Sequence, residues 1–329
     1  MMNRRDNILA LLHHQSHDHI PVTADIAMTG GSRETFENGP AGGGPDGFGL
    51  VWQGSASAMG AGLPAPGQYV LDDVTEWKKQ VRFPDVTSYD WEGMAAEQLA
   101  RFDPKNQIQE YGLWNGQFLR LTHMMGFEEG LMALYTEPEA CRELLDAITD
   151  YRISTLEYIV KYFRPDSICL FDDFATEQGL FLSPDTYYEL IAPQHRKLFD
   201  AVRSYGVIPN LHICGKPEEV VPRLPEEGCE AWEVCQPEND LLRLQQEVGD
   251  KLAFIGCYDM IGKSNGFNIH EPTEEELRQS VRDCIDKYGP GGNVGIMGMI
   301  MYADPQKMVS TMMTLSDEAI RYGTNYYCK

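Results

Sequence analysis

The stretch "VIPNLHICGKPEEVVPRLPEEGCEAWEVC", Val207 to Cys235, decides the fold of this 329-residue chain. An apolar run ending at Cys214 predicts a strand, the residues from Lys216 to Glu227 predict a helix, and "AWEVC" predicts a second strand. Two buried strands joined by a helix are typical of a parallel sheet covered by helices.

The same alternation extends in both directions. The other predicted strands from residue 167 onward are "SICLFDD" (167–173), "KLAFIGCYD" (251–259) and "NVGIMGM" (293–299). Helices are predicted after Ser183-Pro184, over 238–248, after a capping box at Thr273 to Glu276, and over 304–322. These five strand–helix units indicate an α/β fold, and we expect a (β/α)8 TIM barrel rather than an open doubly wound sheet.

The first half of the chain is harder to interpret. "HIPVTAD" (19–25) and "GQFLRLT" (116–122) are predicted strands, and Thr136 to Phe163 is a predicted helix with its own capping box at Thr136 and Glu139. A Gly- and Pro-rich stretch over 29–67 is interpreted as an elaborated loop. We therefore expect a single domain over 1–329, with an N-terminal extension and this loop added to the barrel.

Composition excludes some functions. The formal net charge is −23 and the pI is about 4.6, so nucleic acid and anionic membrane surfaces are not expected partners. No apolar run is long enough to span a bilayer, and the N-terminus does not resemble a signal peptide. Eight cysteines in a chain of this length do not indicate a disulfide framework. A cytoplasmic location is expected.

Chemistry in a barrel is located at the carboxyl ends of its strands. His212 and Cys214 end one predicted strand and, two residues apart, point to the same side. An imidazole and a thiolate together are typical zinc ligands, and a catalytic zinc takes three protein ligands. The spacing predicts Cys257 as the third ligand, with Glu233 and Cys235 as alternatives; a pair of buried core residues is the competing interpretation of His212 and Cys214.

Acidic residues also follow these strands. Asp172 and Asp173 are candidate catalytic acids or bases, hydrogen-bond partners for His212, or members of an ion pair. Adjacent residues on a strand point in opposite directions, so at most one of the two is expected to face the site. His195 is predicted to lie on a helix surface.

The loop "ENGPAGGGPDGFG" (37–49) lacks the GxGxxG spacing after a strand and the Gly-Lys-Ser/Thr of a phosphate-binding loop. A loop that covers the substrate is the favoured interpretation, with Phe36, Phe48 and Trp52 stacking on a flat ligand. A purely structural loop is the alternative.

Three segments carry a resemblance to a known family: "NRRDNILALLHHQSHDHIPV" (3–22), "SPDTYYELIAPQHRKLFDAVRSYGV" (183–207) and "LHICGKPEEVVPRLPEEGCEAWE" (211–233). They resemble the uroporphyrinogen decarboxylase superfamily, which implies a (β/α)8 barrel and one of two activities. The decarboxylase branch holds its substrate's carboxylates with arginines after the first strand. Here "PVTADIAMTGG" (21–31) carries none, which disfavours that branch.

The second branch contains corrinoid-dependent methyltransferases that use zinc. Its His-x-Cys pair matches His212 and Cys214, but its later cysteine is missing from "GPGGNVGIMG" (289–298). The glycine loop is similar to that of enzymes that demethylate phenyl methyl ethers. The resemblance therefore implies zinc-dependent transfer of a methyl group from a methoxylated aromatic compound to a cobalamin carried by a corrinoid protein, with Asp173 or Glu177 as a proton donor.

Several alternatives remain open from the sequence. The same residues fit a methylcobalamin-to-thiol methyltransferase, and a non-catalytic tetrapyrrole or corrinoid binder is a second class of function. Uroporphyrinogen decarboxylase itself is a third alternative. A homodimer is expected only from the resemblance.

Overall fold

The computed structural model describes residues 1–30, 39, 43–54 and 62–328. Strands within these ranges are β1 (Ile26–Gly30), β2 (Gly44–Pro45), β3 (Val51–Gly54), β4 (Gly62–Pro64), β5 (Ile108–Leu113), β6 (Ser167–Phe171), β7 (Ala175–Thr176), β8 (Gly179–Leu180), β9 (Ile208–His212), β10 (Ala231–Cys235), β11 (Ala253–Gly256) and β12 (Val294–Ile296). Helices are α1 (Arg4–Leu12), α2 (Trp77–Gln80), α3 (Trp91–Gln98), α4 (Gln117–Met125), α5 (Phe127–Thr136), α6 (Pro138–Phe163), α7 (Pro184–Thr186), α8 (Ala192–Ser204), α9 (Leu224–Glu227), α10 (Leu241–Val248), α11 (Glu274–Tyr288) and α12 (Pro305–Gly323).

The predicted barrel is confirmed. The described residues form one parallel seven-stranded sheet in the order β1-β5-β6-β9-β10-β11-β12. An isolated parallel bridge between Val22 and Ile296 joins the segment before β1 to β12 and brings the two edges of the sheet together. This closure excludes an open doubly wound sheet. Within the described ranges this bridge occupies the position of the expected eighth strand.

Helix α1 closes the amino end of the barrel. Its residues Ile8, Leu11 and Leu12 pack in one cluster with the first residues of several strands, including Ile108 and Ile208. This apolar plug fills the lower part of the barrel. The N-terminal extension therefore has a structural role at the end opposite to the strand carboxyl ends.

A larger apolar cluster fills the space between the sheet and the surrounding helices, with Trp232 and Phe254 among its fully buried members. The predicted capping box is present at the start of α11, where the Thr273 side chain accepts from the Glu276 backbone N–H and Glu276 reciprocates. Among the described residues, no helix combines the length and apolar character needed to cross a membrane.

Three sequence predictions in the helical and strand pattern are wrong. "HIPVTAD" contributes only the Val22 bridge and a 3-10 turn, and the strand follows it at β1. "GQFLRLT" is helix α4, which has a strongly one-sided apolar face, and the strand before it is β5. The helix predicted over 216–227 shrinks to α9, because three prolines within it cannot donate backbone hydrogen bonds.

The capping box predicted at Thr136 is also absent. Thr136 is the last residue of α5, and its hydroxyl donates to the Met132 carbonyl within that helix. Helix α6 begins after Glu137 with Pro138 in its first turn, and no side chain caps it. Two helices therefore meet where one helix start was predicted.

Candidate metal centre

Three neighbouring strands place one side chain each on a common rung of the barrel. The register pairs Phe171 of β6 with His212 of β9, and His212 with Glu233 of β10. Because side chains alternate along a strand, these three project to the same side as Asn210 and Cys169 one rung below. The rung lies at the carboxyl ends of the strands, where barrel enzymes place their chemistry.

The His212 ring is held through both of its nitrogens. Nδ1 lies 2.9 Å from a Glu233 carboxylate oxygen, and Nε2 lies 3.3 Å from the Cys214 sulfur. A carboxylate on the far nitrogen fixes the tautomer and orientation of an imidazole and makes it a better metal ligand. The ring is further confined by Phe171, which stacks on it with centroids 4.3 Å apart, and by Trp114, which stacks on Phe171 at 4.1 Å.

Asp173 completes the group. A carboxylate oxygen of Asp173, a ring nitrogen of His212 and the sulfur of Cys214 all lie within 4.8 Å of one another. All three residues are partly buried. Asp173 Oδ1 accepts a hydrogen bond of 2.6 Å from the Cys214 backbone N–H, which ties the two strand ends together. A carboxylate has a second oxygen, so this hydrogen bond leaves capacity to bind an ion.

These donors suit zinc. Bonds of about 2.0 Å to nitrogen and about 2.3 Å to sulfur at tetrahedral angles place the two ligand atoms roughly 3.5 Å apart, and the observed separation is 3.3 Å. Imidazole, thiolate and carboxylate are the usual protein ligands of zinc, and three of them leave one position for substrate. We call Asp173, His212 and Cys214 the mouth site.

The electrostatics of the mouth site also favour a cation. Burial by itself lowers the pKa of His212, but the hydrogen bonds to Cys214 and Glu233 outweigh it and raise the pKa well above the ordinary value. The surroundings of this imidazole are therefore strongly negative. A divalent ion in the same place would be stabilised by the same charges.

A glycine allows the loop after Cys214 to pack tightly. Gly215 has a φ of +86°, and a Cβ there would lie 2.6 Å from the Thr176 carbonyl oxygen. Only glycine tolerates both the left-handed backbone and the close approach. The short β7–β8 hairpin can therefore rest directly against the ligand-bearing loop.

The structure does not bring Cys257, the expected third ligand, to His212 and Cys214. Cys257 is 2% exposed and belongs to the apolar cluster between sheet and helices. It has a φ of +60° just beyond β11, and its carbonyl accepts from the Cys284 thiol of α11. The chain leaves the strand before Cys257, so strand alternation no longer describes its direction. Asp173 stands where Cys257 was expected.

The two alternative ligands also differ from the sequence expectation. Cys235 is fully buried, and its thiol lies near the carbonyls of Trp232 and Ile255. Glu233 faces the barrel interior and contacts His212 rather than Cys214. Glu233 and Cys235 lie two residues apart and would share one face of a regular strand. The bulge between them in the β10–β11 register explains why their surroundings differ.

Asp172 and Asp173 point in opposite directions, as strand alternation requires. Asp172 is completely buried on the helix side, where its oxygens accept from the backbone N–H groups of Phe118 and Leu119 at the start of α4. It also lies 2.9 Å from His195 Nε2. Asp172 is thus removed from the mouth site and stabilises a helix N-terminus.

His195 was predicted on the surface, and this is wrong, because it is fully buried in α8. Its Nδ1 lies 3.5 Å from Glu227, whose carboxylate also accepts from the Tyr187 hydroxyl at 2.8 Å. Burial lowers the pKa of His195, but the hydrogen bonds to Asp172 and Glu227 outweigh it and raise the pKa to about 9. These four residues, Asp172, Tyr187, His195 and Glu227, form the helix-side network.

The remaining candidates lie apart from the mouth site. Glu177, on the β7–β8 turn, is about half exposed and pairs with Lys263 at 2.6 Å. Phe48 and Trp52 are 4% and 3% exposed, so neither presents a face to a ligand. Phe36 lies outside the described residues.

Phe48 and Trp52 pack around a buried charged pair that the sequence did not reveal. Asp46 accepts from the Trp52 indole N–H at 2.9 Å and pairs with Arg120 of α4 at 2.8 Å, with both charged side chains fully buried. The Arg120 guanidinium lies over the Phe48 ring, 4.2 Å from its centroid. The described part of the elaborated loop, including the antiparallel sheet β2-β3-β4, is therefore fastened to the barrel's helices.

Sequence reasoning also missed Glu110, in the middle of β5. It is completely buried inside the barrel, where Ser167 and Asn210 donate to one of its oxygens. Burial, followed by the charge of Glu233, raises the pKa of Glu110 to about 8. The signal available in "IQEYGL" was an acid at an inward position of a strand, but that strand was not recognised.

Comparison with known proteins identifies the family of this chain. The family model described as uroporphyrinogen decarboxylase (URO-D) matches residues 94–318, well over half of the chain. This chain belongs to the uroporphyrinogen decarboxylase family. The resemblance stated from the sequence is thereby confirmed. A comparison with curated proteins gives no match.

One solved structure shows the same fold. A methyltransferase from Methanosarcina mazei superposes with a TM-score of 0.66 at 14% identity, covering 98% of this chain and 99% of that one. A uronate isomerase from Bacillus halodurans gives a TM-score of 0.37 at 9% identity, covering 73% of this chain and 61% of that chain. At 14% identity the first similarity shows the shared barrel fold alone.

Proposed function

We propose that this URO-D family member is a zinc-dependent methyltransferase that moves a methyl group from a methoxylated aromatic compound to a corrinoid protein. The observation that carries the proposal is the convergence of Asp173, His212 and Cys214 at the strand carboxyl ends. The fold shared with a methyltransferase along nearly the whole of both chains supports it. Asp173 replaces Cys257 as the proposed third ligand.

Each part of the mouth site has a proposed task. Asp173, His212 and Cys214 would hold zinc, and Glu233 would keep the His212 ring in the orientation that presents Nε2. Bound zinc supplies a Lewis acid, which stabilises the charge that develops on a phenolic oxygen when its methyl group leaves. The partly exposed Trp114, on the outer side of the Phe171 stack, is proposed as the surface on which the aromatic ring rests.

The methyl acceptor is proposed to be the cobalt of a corrinoid carried by a separate protein. The strongly acidic chain and its lack of a free arginine cluster near the first strand disfavour a substrate with many carboxylates. This argues against the decarboxylase activity for which the family is named. We propose a cytoplasmic location for such a two-protein system.

The test is to incubate the zinc-loaded chain with a reduced corrinoid partner and a panel of methoxylated aromatics, and to follow methylcobalamin formation by absorbance. Formation that depends on the aromatic ether and on zinc supports the proposal. Methyl transfer only from methylcobalamin to a thiol would replace it with the reverse class of reaction. Release of carbon dioxide from uroporphyrinogen without any corrinoid would contradict it.

A further inference from the structure

A second group of side chains of the metal-ligating type lies inside the barrel and extends below the rung of His212 and Glu233. Glu110 of β5, Cys169 of β6 and Glu233 of β10 each place one ligand atom within 4.8 Å of the other two. Their exposures are 0%, 0% and 3%, so bulk water does not reach them. We call these three residues the inner cluster.

The hydrogen bonds around Glu110 leave one of its oxygens unused. The Ser167 hydroxyl donates to Oε2 at 2.7 Å and the Asn210 amide donates to the same oxygen at 2.5 Å. Oε1 is buried and has no hydrogen-bond partner, and Asn210 Oδ1 is in the same condition. Since nearly all buried polar atoms in native proteins are satisfied, these two unpartnered oxygens indicate a missing donor or cation.

Charge leads to the same conclusion. Among the residues that the structure describes, no lysine or arginine pairs with Glu110 or Glu233, and Glu233 is shared with His212. The Cys169 thiol lies against the Glu233 carboxylate. Two carboxylates within 4.8 Å of each other repel when both are ionised in a dry interior, and either a shared proton or a bound cation relieves that repulsion.

We propose that the inner cluster binds a second divalent transition-metal ion, of the zinc class, through Glu110, Cys169 and Glu233, with Asn210 Oδ1 as a further oxygen donor. One thiolate with carboxylate oxygens suits a borderline-soft ion better than magnesium or calcium, which prefer oxygen alone. Glu233 then joins the two sites, because its carboxylate contacts His212 and is also a ligand of the proposed inner ion. The inner ion is a structural ion that positions the mouth site.

The experiment counts metal in the full-length chain. The protein is stripped with a chelator and dialysed against Zn²⁺, and bound zinc is measured by mass spectrometry of the metal. We expect two equivalents in the wild type, and one each in Cys214→Ser, Cys169→Ser and Glu110→Gln. Cys141→Ser, which removes an equally buried thiol from α6, should keep both equivalents.

Cobalt provides a readout that distinguishes the two sites. In the Cys214→Ser background the only thiolate left in either site is that of Cys169, so Co²⁺ should still produce a thiolate-to-cobalt absorption in the near ultraviolet. That absorption should vanish in Cys214→Ser/Cys169→Ser. Cys169→Ser changes a single atom, so it decides the question even if Glu110→Gln does not fold.

A wild type with one equivalent that Cys214→Ser abolishes and Cys169→Ser retains would overturn the proposal and leave a shared proton between Glu110 and Glu233. This outcome is independent of the proposed reaction. Failure of methyl transfer with two equivalents bound would contradict the function while leaving the inner site intact.

Discussion

The mouth site and the helix-side network each contain an aspartate and a histidine, on opposite faces of one strand end, and they differ in how deeply these side chains are buried. In the helix-side network the fully buried Asp172 accepts hydrogen bonds from two backbone N–H groups and contacts His195. In the mouth site Asp173 is partly exposed, and its neighbours Cys214 and His212 converge on a common point. A fully buried network of this kind stabilises the fold, whereas partly exposed ligand atoms that converge on one point can bind an ion.

The sharpest test of this difference is His212→Ala, which removes the imidazole from the mouth site. We expect the loss of one equivalent of bound zinc and a fall in methyl transfer of about 1,000-fold or more, equivalent to about 4 kcal/mol in activation free energy. The free energy of unfolding should change little by comparison. Metal analysis and the methylcobalamin assay measure both effects.

Cys257→Ser is the matched control for that test. Because Cys257 lies in the apolar cluster and not in the mouth site, we expect its zinc content to equal that of the wild type. A loss of zinc in Cys257→Ser would restore Cys257 as a ligand and contradict the reassignment to Asp173.

Asp172→Ala should have the opposite effect to His212→Ala, lowering the stability of the fold and leaving zinc binding unchanged. It leaves a buried imidazole without its nearest carboxylate and removes the acceptor at the start of α4. We expect a decrease of about 3–5 kcal/mol in the free energy of unfolding, measured by urea denaturation, with zinc content unchanged. Asp146→Ala, which breaks an exposed pair with Lys197, should cost no more than about 1 kcal/mol. Zinc loss in a folded Asp172→Ala protein would show that the helix-side network also supports metal binding at the mouth site.

The helix-side network also predicts a pH dependence of stability. The pKa of His195 is about 9 in the folded protein and about 6.5 when unfolded, so the folded state binds this proton more tightly. The stabilisation is complete below pH of about 6.5 and is lost as the pH rises through about 9, amounting to about 3 kcal/mol at most. Urea midpoints between pH 6 and 9.5 should show this slope in the wild type and not in His195→Gln.

The smallest effect is expected at the rim. Glu177 and Lys263 form an exposed pair, and such pairs contribute little because water and salt screen them. Glu177→Gln should change the free energy of unfolding by less than about 0.5 kcal/mol. A fall in methyl transfer of tenfold or more in this variant would instead restore Glu177 as a catalytic acid.

Local signals identified much of the barrel correctly. The strands predicted over 207–214 and 231–235 and the capping box at Thr273 each depend on a few adjacent residues, and the structure has β9, β10 and the capping box within those ranges. The first half failed because its helix α4 begins at a glycine without a capping side chain, and its apolar pattern in a short window fits a strand equally well. Strand β5 went unrecognised because Gln109 and Glu110 interrupt its apolar run.

The amino-acid sequence by itself determined the alternation of strands and helices, the family resemblance and the pairing of His212 with Cys214, because each of these is encoded by neighbouring residues. Only the tertiary structure decided that Asp173 rather than Cys257 lies beside them, that Asp172 and His195 are buried together, and that Glu110 meets Glu233 inside the barrel. Those relations join residues far apart in the chain, and they depend on how the strands are registered and where each strand ends.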